Sequence, residues 1–274
     1  MKNFVDCCFI SDFKNIDNLF LIDCRFDLFD PDLGYKLYQI DHIPGAFYLD
    51  INKDICGKPS IHGGTRPLAD IKILSNKLIN IGITMNSTIV VYDEKIYSSP
   101  RLFLQLKYMG YKNVYILNGG FNAWKSNNLP TTCEIPKLNY NGFFKENLNE
   151  SLVCNIEYVK NTINSNEIVL VDSRDNNRYT GEFEPLYSKP GHIPGAINIP
   201  WHNNISANGY VKSLDEISNN FLTLKDKEVI LYCGSCIEAC INYVLLDELG
   251  YNSKVYIGSM SDWISYNDNI VEKL

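Results

Sequence analysis

Residues 232–238 read Tyr232, Cys233, Gly234, Ser235, Cys236, Ile237, Glu238, an arrangement in which a sulfur atom can act as a nucleophile. The apolar run 229–232 has the character of a buried strand end, and the apolar spacing over 239–249 is helical. A thiol between a strand end and a helix start lies among backbone N–H groups that carry partial positive charge. Such surroundings favour thiolate over thiol and would stabilise a persulfide anion. Gly234 and Ser235 are small enough for the backbone to curl around the sulfur. The plain alternative is a buried cysteine at a strand end.

Three other chemistries fit parts of the pattern. Cys233, Cys236 and Cys240 could supply three metal ligands, but structural zinc takes four, and the chain has no second C-x-x-C and no paired histidines. A cysteine in such a loop can attack phosphate if an arginine closes the loop, and residues 234–240 contain none. Cys233 and Cys236 have the spacing of a dithiol that cycles to a disulfide, which leaves open a non-catalytic sulfur carrier or redox module.

The elements that must position this cysteine are written twice. His42, Ile43, Pro44, Gly45 and Ala46 recur as His192, Ile193, Pro194, Gly195 and Ala196. Upstream of each copy an apolar run ends in acid and base, Asp23 and Arg25 or Asp172 and Arg174. Downstream, the run 89–92 ends at Asp93 and the run 229–232 ends at Cys233. Residues 109–115 then parallel residues 249–256, and Trp124 parallels Trp263. Several matches in one order make an internal repeat, and the first copy carries an aspartate where the second carries the cysteine.

Short apolar runs alternate with helical patterns such as 101–109 and 239–249, with Gly110 and Gly250 at the expected helix C-caps. The expectation is α/β, each copy a mostly parallel sheet with helices on both faces. Residues 132–151 show neither period, which puts domains at 1–135 and 151–274 with a linker at 136–150. Sites in such sheets form outside the carboxyl ends of the strands, where Cys233 lies.

A net charge of −7 over 274 residues argues against nucleic acid or an anionic membrane as partner. The first twenty residues lack the apolar core of a secretory leader, and no run approaches a membrane span. The expected location is cytoplasmic, where the nine cysteines stay reduced and most serve as small buried side chains.

Residues 232–239 resemble the active-site loop of 3-mercaptopyruvate and thiosulfate sulfurtransferases, the two-domain rhodanese family. The two H-I-P-G-A segments, residues 178–181 (Arg178, Tyr179, Thr180, Gly181) and residues 258–263 match that family in order, and the resemblance runs from about residue 20 to the C-terminus. It implies tandem rhodanese-like domains, the second catalytic, and ping-pong transfer of sulfur through Cys233. The donor would be a small anion, 3-mercaptopyruvate or thiosulfate; the acceptor would be cyanide or a thiol, thioredoxin-like proteins included. No cofactor is implied.

Arg178 matches the family arginine that contacts the donor, and a guanidinium fork suits carboxylate or thiosulfonate oxygens. Gly234, Ser235, Cys236, Ile237 and Glu238 would line the substrate loop. His62, within residues 62–67, resembles a segment that faces the site in bacterial relatives, and a loop hydrogen bond is its competing role. The chain departs from the family at four places. Leu186 stands where a second arginine belongs, with Lys189 nearby as a substitute; Cys236 replaces a glycine; Glu238 replaces a small or basic residue; and Asn52 replaces an aspartate that assists the loop serine. Gly234 and Ser235 favour mercaptopyruvate as donor, whereas Leu186 argues against it.

Overall fold

The structure is a computed structural model that describes residues 1–12, 18–163 and 165–274. Residues 13–17, part of the stretch inspected for a leader, and residue 164 lie outside the described residues. The chain forms two compact units, each completed by a short segment from the other half of the sequence. Unit 1 comprises Met1–Gly57, Leu68–Asn149 and Ala207–Val211; unit 2 comprises Lys58–Pro67, Glu150–Ser206 and Lys212–Leu274.

In unit 1 the elements run β1 (Phe4–Val5), α1 (Cys7–Asp12), β2 (Leu19–Asp23), α2 (Leu33–Ile40) and β3 (Phe47–Tyr48). They continue with α3 (Ile71–Ile81), β4 (Thr88–Tyr92), α4 (Ser99–Tyr108), β5 (Val114–Leu117) and α5 (Gly120–Ser126). Unit 2 repeats the series with β6 (Val153–Cys154), α6 (Ile156–Thr162), β7 (Ile168–Asp172), α7 (Asn176–Thr180) and β8 (Ile197–Asn198). Its remainder is α8 (Leu214–Phe221), β9 (Glu228–Tyr232), α9 (Glu238–Leu249), β10 (Ser253–Tyr256) and α10 (Ser259–Trp263). The sheets have the orders β1-β5-β4-β2-β3 and β6-β10-β9-β7-β8, and the strand pairs are parallel. Two parallel α/β sheets are what the alternating pattern predicts.

Central strands of parallel sheets are covered on both faces and read as unbroken apolar runs. Ile89, Val90, Val91 and Tyr92 in β4, and Val229, Ile230, Leu231 and Tyr232 in β9, are all fully buried. Helix α9 is buried from Ala239 through Leu246 and ends at Gly250, whose φ of 82° suits the left-handed cap. Helix α4 ends one residue earlier than its counterpart, at a Met109 cap followed by Gly110 at φ 91°.

The repeated sequence signals become repeated fastenings. The hydroxyl of Tyr92 accepts from the Ile43 amide at 3.2 Å, and that of Tyr232 from the Ile193 amide at 3.1 Å. The His42 ring stacks on Tyr38 and the His192 ring on Tyr179, each at 3.9 Å. Trp124 and Trp263 each donate an indole N–H to a backbone carbonyl, of Pro130 and Ile270, at 2.8 Å. Emptying either indole site would cost about 3–5 kcal/mol. The nine cysteines carry free thiols, and six of them are buried. Among the described residues no helix is long and apolar enough to cross a membrane.

Candidate active site

Cys233 is the first residue after β9 and is 1 % exposed. Its loop is fastened by α10: the Met260 amide donates to the Cys233 carbonyl at 2.9 Å, and the Ser261 amide to that of Gly234 at 3.0 Å. The Cys233 amide in turn donates to Ser259 Oγ at 3.3 Å. The amides of Ser235 and Ala239 are hydrogen-bonded to the thiol, so the sulfur lies in a backbone cradle at the opening of α9.

The equivalent loop of unit 1 shows what such a cradle holds. Asp93 Oδ2 accepts from the amides of Tyr97 and Ser99 at 2.8 Å, from the Ser98 amide, and from Ser98 Oγ at 3.0 Å. An anion fills the turn in the copy that lacks the cysteine.

The charge state of the resting thiol differs from the sequence reading, which favours thiolate. Burial, followed by the charges of Glu238 and Cys236, pushes Cys233 up to about 12, outweighing the amides of Ala239 and Ser235. Glu238, with its side chain 16 % exposed, is itself pushed up to about 7 by burial despite the pull of Arg178. Amide donors are legible locally; burial and the effect of the Glu238 charge are not.

Arg178 lies in the middle of α7 and reaches the loop. A Cβ on Gly234 would come within 3.2 Å of Arg178 Nη2 and 3.0 Å of the Tyr187 hydroxyl, so these two side chains pack directly against the turn. The guanidinium is gripped by Glu184, with Nε to Oε2 and Nη2 to Oε1 both 3.0 Å. Arg174 Nη1 also donates to Glu184 Oε2, at 3.0 Å. Arg174 in turn is paired with Asp172 at 2.5 Å. Arg178 Nη1 lies 4.0 Å from Glu238 Oε2.

A strap of unit 2, residues 58–67, brings in a residue that the sequence reading passed over. The Gly63 amide donates to Asp262 Oδ1 at 2.7 Å and the Thr65 amide to Ser261 Oγ at 3.0 Å. Gly64, at φ 84°, packs where a Cβ would sit 2.5 Å from the Gly258 carbonyl oxygen. Beyond it, Arg66 Nη1 donates to Ser235 Oγ at 2.8 Å.

The other flagged residues lie as follows. His62 is exposed, its Nδ1 2.8 Å from Ser265 Oγ and its ring stacked on Tyr266. Cys236 adopts φ 62°, the conformation for which glycine is normally used. Its Sγ lies 3.7 Å from that of Cys240, which donates to the Cys236 carbonyl at 3.1 Å. Ile237 is buried at the N-cap of α9. Leu186 is 38 % exposed, and Lys189 Nζ sits 3.5 Å from the carbonyl oxygens of Tyr266 and Asn267. Asn52 belongs to unit 1, its amide donating to Asp50 Oδ1 at 2.8 Å.

Comparison with known proteins places this geometry among relatives. A Rhodanese-like domain model matches residues 10–127 and 155–266. The chain is 33% identical over 257 residues to a probable 3-mercaptopyruvate sulfurtransferase of Pseudomonas aeruginosa, covering 90% of each. It is 32% identical over 238 residues to a thiosulfate sulfurtransferase of Rattus norvegicus, covering 83% of this chain and 79% of the other. The crystal structure of SseA from Escherichia coli, a 3-mercaptopyruvate sulfotransferase with the rhodanese fold, superposes with a TM-score of 0.83 at 27% identity, covering 95% of this chain and 100% of that one.

Proposed function

The chain belongs to the rhodanese family and is a sulfurtransferase, and from that premise we propose that Cys233 Sγ is the atom on which its sulfur travels. The supporting observation is the amide cradle around Cys233, whose counterpart in unit 1 holds the carboxylate of Asp93. A cradle that accommodates an anion suits both the attacking thiolate and the persulfide it becomes.

In the first half-reaction the Cys233 thiol gives up its proton to solvent, and the thiolate attacks the transferable sulfur of a small anionic donor. With thiosulfate the S–S bond breaks and sulfite leaves. With 3-mercaptopyruvate the C–S bond breaks and the enolate of pyruvate takes up a proton. In the second half-reaction a thiolate or cyanide takes the outer sulfur and restores the Cys233 thiolate. Gly234 and Ser235 shape the turn, Ile237 and Glu238 form its wall where α9 begins, and Arg178 meets the donor with a guanidinium fixed in place by Glu184. The Cys236 thiol faces Cys240, an arrangement that favours a carrier based on Cys233 alone over a dithiol module. Nine free thiols suit a reducing cytoplasm.

Steady-state turnover with each donor, in excess cyanide, tests the proposal. Parallel initial-rate lines in double-reciprocal plots are expected of ping-pong transfer, and intersecting lines would contradict it.

A further inference from the structure

The donor is an anion, yet the charges gathered by Arg178 are closely matched. Arg174 and Arg178 face Asp172 and Glu184 in one buried network. Glu238 adds a negative charge to that network whenever it is ionised. Leu186 contributes none, and Lys189 is turned to the carbonyl oxygens of Tyr266 and Asn267. Another source of positive charge is needed to draw an oxyanion to the sulfur.

We propose that Arg66 is a donor-recognising residue, its guanidinium held on the Cys233 loop by Ser235 and meeting the oxyanion end of the sulfur donor. Three observations carry this. Arg66 Nη1 lies 2.8 Å from Ser235 Oγ, two residues from the sulfur carrier. The strap that delivers it is fixed on α10 through the Gly63–Asp262 and Thr65–Ser261 bonds and the tight packing of Gly64 on Gly258. Tyr187 hydrogen-bonds Ser235 and completes the cluster. Burial and, when it is ionised, Cys233 push its phenol up, while Arg178, the Ser235 bond and Arg66 pull it down. An arginine presents a planar fork of donors, and the carboxylate of 3-mercaptopyruvate or the sulfonate oxygens of thiosulfate fit it equally. Arg66 thereby restores the second fork that Leu186 removes.

The inference rests on Cys233 as sulfur carrier, so its test is read on the thiol itself rather than on turnover. Iodoacetate and iodoacetamide alkylate a thiolate by one reaction and differ in charge, and the ratio of their rates at Cys233 cancels the thiolate fraction. That ratio is measured by peptide mass in the wild-type protein, in Arg66→Met and in Arg66→Lys, with thermal melts to confirm folding. Arg66→Met should lower the ratio roughly tenfold, and Arg66→Lys should recover part of it. For both donors kcat/KM should fall roughly ten- to a hundredfold in Arg66→Met, mostly through KM. An unchanged ratio and unchanged KM in a folded Arg66→Met protein would overturn the proposal. Arg66→Lys keeps the charge, so a ratio as low as that of Arg66→Met would overturn it as well. The carrier reading fails separately, if donor turnover survives in Cys233→Ser.

Discussion

Asp93 and Cys233 are the first residues after equivalent strands of two copies of one fold, and each turns its side chain into the loop that follows. Asp93 gathers the amides of Tyr97, Ser98 and Ser99. Removing that carboxylate leaves buried amide donors without their acceptor, at about 1–3 kcal/mol. Asp93→Ala should therefore lower the melting temperature of unit 1 while Cys233 still loads sulfur. A variant as stable as the wild type would show that the carboxylate is not what holds this turn.

Glu238 should set the pH dependence of donor use. It is pushed up to about 7 by burial, so it is neutral below that pH and anionic above it. Its charge then appears beside Cys233, raising the thiol and repelling the donor. In Glu238→Gln that charge never appears. The kcat/KM of the variant relative to wild type should stay near one at about pH 5 and climb through neutrality to roughly tenfold. The pH at which iodoacetamide begins to alkylate Cys233 should also move down. A ratio flat with pH would mean that Glu238 does not titrate at the site.

Arg178 binds the donor in this account and also balances the buried Glu184. Arg178→Ala should cut kcat/KM for both donors by roughly ten- to a hundredfold, the loss of a charge-assisted bond worth ~1.5–3 kcal/mol. It should also cost stability, because the buried Glu184 loses one of its two guanidinium partners and keeps Arg174 and the Leu186 amide. Adding Glu184→Gln removes the stranded charge and should return stability without returning donor use. Recovery of both in the double variant would reduce Arg178 to a structural partner of Glu184.

Cys236 stands in left-handed backbone at φ 62°, which costs a non-glycine residue about 1 kcal/mol. Cys236→Ala loses the sulfur and keeps the strain, whereas Cys236→Gly loses the sulfur and relieves it. The glycine variant should be the more stable by about 1 kcal/mol in urea melts. With Cys236 facing Cys240, a donor-loaded Cys236→Gly protein should also hold its persulfide as long as wild type. Rapid hydrosulfide release from wild type alone would reveal a resolving thiol.

The parts of this molecule that were legible in the sequence are those fixed by short stretches of chain. The doubled H-I-P-G-A segments, the strand before Cys233 and the helix after it are local patterns, and Arg178 lies in a segment that matches the family. Arg66 escaped because its role depends on which way a strap turns after Gly63 and Gly64, and the glycine pair permits many turns. The same turn sends His62 outward to Ser265 and Tyr266, although both residues lie in the segment whose family likeness drew attention to His62. The charge state of Cys233 was illegible for a related reason. Adjacent amides can be read from the chain, but burial and the strength of the Glu238 charge at the sulfur are products of the fold.

Intact mass after donor treatment, with the acceptor omitted, addresses the central claim most directly. The wild-type protein should gain the mass of a single sulfur atom and lose it again when cyanide is added, with thiocyanate formed in equal amount. Cys233→Ser should gain nothing and turn over neither donor. The same gain in Cys233→Ser, or thiocyanate formation at the wild-type rate, would contradict the assignment of Cys233 as the sulfur carrier.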